Sequence, residues 1–65
     1  MADADLDAVR RAFADLTGLF EDAAQVACAG QGVKNLDDAH RQLKRLSIAT
    51  HRIRKRLGGL EGRLQ

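Results

Sequence analysis

Apolar residues recur in this chain at alternating intervals of three and four, and they do so twice. The first series is Leu6, Val9, Phe13, Leu16, Phe20, Ala23 and Ala27; the second is Leu36, Ala39, Leu43, Leu46, Thr50, Ile53 and Leu57. Seven residues span close to two turns of α-helix, so each series lies along one side of a helix. Between the two runs stands Ala29-Gly30-Gln31-Gly32-Val33-Lys34-Asn35, whose glycines can reverse the chain without steric penalty. The spacing predicts an all-α chain, an antiparallel two-helix hairpin forming one domain. Helix 1 is expected over about residues 4–29, a turn over 30–35 and helix 2 over about 36–57.

The ends of these helices have readable signals. Asp3 or Asp5 can cap helix 1, and Gly30 is expected in the left-handed conformation that closes many helices. Asn35 is the expected N-cap of helix 2, with Asp37 and Asp38 in its first turn at the positive end of the dipole. Gly58 and Gly59 weaken the helix by about 1 kcal/mol each, although Leu60 and Leu64 keep the apolar period. The firm end is therefore expected at Leu57, with the tail 58–65 frayed unless a partner captures it.

Lettering Leu6, Phe13, Phe20 and Ala27 as heptad positions a makes Val9, Leu16 and Ala23 positions d, and Ala12, Leu19 and Val26 positions g. Helix 1 is thus apolar at three positions of seven, the breadth of a helix with more than one neighbour. Helix 2 fills a and d with mostly polar flanks. If a and d close the hairpin, Phe13 meets Thr50, Phe20 meets Leu43 and Ala23 meets Ala39, while Leu19 and Val26 stay partly bare. The Thr50 hydroxyl is expected to bond back to the Leu46 carbonyl. A chain of 65 residues buries little apolar surface, its single cysteine cannot form an internal disulfide, and no Cys and His cluster has metal-site spacing. Association supplies the missing stability. The expectation is a homodimer, two hairpins forming a four-helix bundle, or a complex with another protein. Its interface would be Ala12, Leu16, Leu19, Ala23 and Val26.

Charge is divided unevenly. Through Gly30 there are six acidic and two basic residues, and from Gln31 onward three acidic and nine basic. Opposite arms favour antiparallel closure, with Asp5 and Arg56 as an expected pair. Arg41, Lys44, Arg45, Arg52 and Lys55 fall on the outward b, c and f positions of helix 2. A solvated outer face is the plain reading of such a stripe. The sharper alternative is contact with nucleic-acid phosphates or an acidic protein, by salt-sensitive attraction, since no exposed aromatic is available to stack on bases. Ile48 sits alone at an outward f position.

Reaction chemistry has little to build on. Ser47 and His51 share a helix face, but their neighbours Lys44, Arg54 and Lys55 are cationic, leaving no carboxylate to orient the imidazole. Glu21 and Asp22 point apart. Cys28 reads as a surface thiol and His40 as a flanking residue, without further ligands converging. Glycines 30, 32, 58 and 59 follow no strand and precede no Lys-Ser/Thr, so they form no phosphate loop. The acidic start is neither a secretory signal nor a transit peptide, and no run is long enough to cross a bilayer. The expectation is therefore a non-enzymatic cytoplasmic interaction module, regulator or adaptor without cofactor, metal or small-molecule substrate. Its Ala-, Arg-, Leu- and Gly-rich composition suits a GC-rich bacterial or phage genome. The alternative is a nucleic-acid-binding regulator.

Length, hairpin layout, central turn and the tail after about residue 57 resemble the small plasmid-encoded modulator of primer RNA, whose hairpins pair into a four-helix bundle that binds RNA loops. Size and shape are also similar to the two-helix chaperones of type III secretion needles. The run His51-Arg-Ile-Arg-Lys-Arg-Leu-Gly-Gly-Leu-Glu resembles copper- and formaldehyde-responsive helical repressors, whose cysteine and histidine ligands have no match here. These likenesses imply a paired helical architecture and carry over no site residue.

Overall fold

The computed structural model describes residues 3–64, which form two helices packed against each other, α1 (Asp3–Gly30) and α2 (Leu36–Leu64). They make a rod of 53 × 16 × 10 Å. Its radius of gyration is 15.4 Å, against about 11 Å for a compact domain of this length. Among the described residues no third layer covers either side of the pair.

The connection differs from the glycine-capped turn expected of it. Gly30 is the last residue of α1, and no described residue, glycine included, has positive φ. The helix instead tightens as it ends. Backbone N–H groups of Gln31, Gly32 and Val33 donate to the carbonyls of Cys28, Ala29 and Gly30 at 3.1, 3.1 and 3.4 Å, each three residues back. The start of α2 follows the sequence. Asn35 Oδ1 accepts the Asp38 N–H at 2.8 Å and the Asn35 carbonyl accepts the Ala39 N–H at 3.0 Å, an N-cap followed by two acids in the first turn. For α1, the two expected caps both lie within the helix, Asp3 as its first residue and Asp5 inside the first turn, so neither stands ahead of it.

α2 does not stop at Leu57. It runs through Gly58-Gly59 to Leu64, and Leu60 is only 6% exposed in the cluster it forms with Ala12, Leu16, Ala23 and Ile53. Burying a leucine is worth about 1.5–3 kcal/mol, the same order as the cost of Gly58 and Gly59 at about 1 kcal/mol each. The first half of α1 thus captures the tail.

The seam itself is shifted by one row from the expected a/d pairing. The buried cluster and the apolar residues packed against it are Val9, Ala12, Leu16, Leu19 and Ala23 on α1 with Leu46, Ala49, Ile53 and Leu60 on α2, which are rows d and g on both helices. Every a residue of the expected layers, Phe13, Phe20, Leu43 and Thr50, is exposed. The cause is bulk. Ala12 and Ala23 on α1 and Ala39 and Ala49 on α2 let the backbones approach closely when d and g face one another, whereas an a/d seam would have to accommodate both phenylalanines. The register moves with it: Arg56 reaches Asp15, not Asp5, at 2.8 Å. Thr50 Oγ1 donates to the Ser47 carbonyl at 2.9 Å rather than to that of Leu46.

Candidate interaction surface

Shifting the seam to d and g has a geometric consequence. Two antiparallel helices viewed end-on are mirror images in the sense of their winding, so row a of each falls on the same side of the pair, and row c of each on the other. One groove between the helices is lined by Ala27 and Leu43, both from row a, together with Val26 and Leu46, and encloses about 240 Å³. On the reverse side, Asp22, Arg45 and Arg52 from row c line a second groove with Ala49. The hairpin therefore has an apolar face and a charged face.

Large residues left in solvent follow this division closely. Leu6, Phe13, Phe20, Leu36, Leu43, Leu57 and Leu64 all belong to row a and keep 41 to 77% of their surface exposed; Ile48, on row f, is the other large exposed apolar residue. Taking about 200 Å² for a fully exposed side chain of this size, the seven present on the order of 800 Å², beyond the roughly 300–600 Å² of the largest patch on a typical monomer. Ala27 and Thr50 complete the row. Thr17 is exposed beside it, its hydroxyl bonded to the Phe13 carbonyl at 3.1 Å, so that polar group is satisfied within its own helix.

Total surface supports the same conclusion. The chain exposes 5326 Å², where a compact protein of 7.1 kDa exposes about 4,100 Å². The excess of about 1,200 Å² is the surface that an elongated pair of helices leaves open relative to a compact fold.

Residues proposed as an interface from sequence now have definite places. Ala12, Leu16 and Ala23 are buried inside the hairpin seam, and Leu19 and Val26 are half-buried along its edge. Ala12, Leu16, Leu19 and Ala23 pack in one cluster with Leu46, Ala49, Ile53 and Leu60 of α2, and Val26 lines the groove on either side of the pair. The unpartnered surface is the row next to them. The signal that could have found it is the alternation of alanines in rows d and g, set against a row a that holds both aromatics.

The opposite face is polar and partly paired. Arg56 Nη2 donates to Asp15 Oδ2 at 2.8 Å across the helices, with both side chains about half exposed. Arg41, Lys44, Arg45, Arg52 and Lys55 are all exposed. Of these, Arg41 lies 3.6 Å from Asp38 and Arg45 donates to Gln42 at 3.3 Å. The other three have no acidic group within 4 Å among the described residues. Ser47 and His51 are both exposed and no hydrogen bond joins them; Cys28 is an exposed free thiol. Among the described residues no group of three or more His, Cys, Asp and Glu could hold a metal ion. Nor is any helix of the described residues long and apolar enough to cross a membrane.

No known protein family, curated protein or solved structure matches the chain.

Proposed function

We propose that this hairpin is a non-enzymatic interaction module, a small regulator or adaptor that works by associating with a second copy of itself through its apolar face. The observation that carries this reading is the confinement of seven of the eight large exposed apolar residues to one row pair. Water-exposed leucines scattered singly need no explanation, but a continuous strip with two phenylalanines at its centre has the composition of an interface core. Pairing two such strips forms a four-helix bundle whose inner rows are a, d and g of every helix.

Sedimentation equilibrium at micromolar concentration tests it. The expected mass is twice the 7.1 kDa of one chain, and Phe13→Glu with Phe20→Glu should return it to one. A well-folded wild-type monomer refutes the proposal.

A second reading concerns the charged side, because Lys44, Arg45, Arg52 and Lys55 stand exposed on one helix, about 17 Å from first to last along its axis. Such a stripe suits nucleic-acid phosphates. A mobility shift at low salt, lost when Arg41, Lys44, Arg45 and Arg52 are changed to Glu, would favour it. No shift with DNA or RNA removes it.

A further inference from the structure

Self-association of the apolar face, taken from the reading above, leaves two ways to lay one rod on another with full overlap. A two-fold axis parallel to the helices puts both turns at the same end and sets α1 of each copy on α2 of the other. A two-fold axis crossing the helices at right angles puts the turns at opposite ends, with α1 on α1 and α2 on α2. Both bury row a, so hydrophobicity does not choose between them.

Charge does choose. The chain carries six acids and two bases through Gly30, and three acids and nine bases beyond it. Stacking α2 on α2 sets two strongly basic helices side by side, and stacking α1 on α1 does the same for two acidic ones. Like charges along such a seam oppose pairing. Crossing the copies instead sets the acidic helix of one copy beside the basic helix of the other, so that the net charges of the two helices attract.

Heights along the rod fix the details. The Asp15 to Arg56 contact sets which residues of α1 and α2 lie level, and an axis parallel to the helices preserves height in the second copy. Arg10 then lies level with Glu61 of the second copy, both on row e at the rim of the apolar face. In the isolated hairpin the acid beside Arg10 among the described residues is the exposed Asp7, at 3.6 Å. In row a, Phe13 meets Leu57 of the second copy, and Phe20 meets Thr50, a bulky residue against a smaller one. From this placement we infer that two copies pair face to face with their turns at the same end, α1 against α2, rimmed by Arg10 and Glu61.

A nitroxide in the turn measures this directly. Gly32→Cys in a Cys28→Ser background places a label where a Cβ meets nothing closer than the Ala29 carbonyl at 3.8 Å. Double electron–electron resonance should give one distance of about 20–30 Å, the width of a four-helix bundle with its labels. A distance near the 53 Å length of the rod would overturn the arrangement while leaving self-association intact. Absence of dipolar coupling, with a one-chain mass, would overturn both. As an independent check, Arg10→Glu should weaken the dimer about 2- to 30-fold, two exposed pairs being lost at once. Adding Glu61→Arg should recover it. Failure of the double variant to recover contradicts the rim contact.

Discussion

The two faces of the hairpin are made by the same two helices, yet one is a row of leucines and phenylalanines and the other a mixture of aspartates and arginines. Asp15 with Arg56 and the groove that Asp22, Arg45 and Arg52 share with Val26, Ala29, Ile48 and Ala49 form a side that carries charge along its length. Leu6, Phe13, Phe20, Leu43 and Leu57 form a side that water solvates badly. The contrast teaches that an amphipathic pair can hold itself together with its small residues and keep its large ones for something else. In most two-helix units the bulkiest residues would be expected to fill the seam. Here the seam takes Ala12, Ala23 and Ala49 with six larger aliphatics, and both aromatics stay outside it.

Breaking that contrast at its apolar end should have the largest effect. Phe13→Glu with Phe20→Glu places four carboxylates in the middle of a dimer, and a loss of at least 100-fold in association is expected by sedimentation, with helicity retained at high concentration. A pair of substitutions on the opposite face, Asp22→Ala with Arg52→Ala, should leave the mass unchanged. Next comes the seam. Leu16→Ala removes the most deeply placed leucine of α1, 6% exposed, and should cost about 2–4 kcal/mol in urea unfolding followed by circular dichroism. Since the seam presents row a, this variant should also weaken pairing.

Smaller effects sharpen the picture of α2. Gly58 and Gly59 sit in a helix without positive φ, and a Cβ at either meets nothing within 4 Å. Changing both to Ala should stabilise the protein by about 1–2 kcal/mol, read as a higher urea midpoint. Were the tail frayed instead of helical, the gain would vanish. Asn35→Ala, which removes the acceptor of the Asp38 N–H, should cost about 1 kcal/mol. Smallest of all, Arg56→Ala should cost at most about 1 kcal/mol, less at high salt, because the pair it breaks is about half exposed.

How much of this was legible in the residues divides along the same line. Helix existence, the position of the turn and the Asn35 cap follow from local chemistry, namely a repeat near 3.5 residues, a pair of glycines and a side-chain acceptor at the right offset. Which two of three apolar rows form the seam does not follow from periodicity, because rows a, d and g of α1 are all apolar and any adjacent two satisfy the pattern. Side-chain volume decides, and it acts between helices, so it is read only when both are laid together. The shift of Arg56 from Asp5 to Asp15 is a consequence of that same choice. The tail shows the opposite failure: its glycines argue locally for fraying, while burial of Leu60 against α1 outweighs them.

An isotope-filtered NMR experiment on an equal mixture of carbon-13-labelled and unlabelled chains tests the division of the two faces most directly. Contacts between copies should join the Phe13 and Phe20 rings to row a side chains, Leu57 foremost, while Leu16 and Ile53 show contacts within one copy only. Contacts between copies confined to Leu16 and Ile53, or absent at concentrations where the protein is folded, would contradict it.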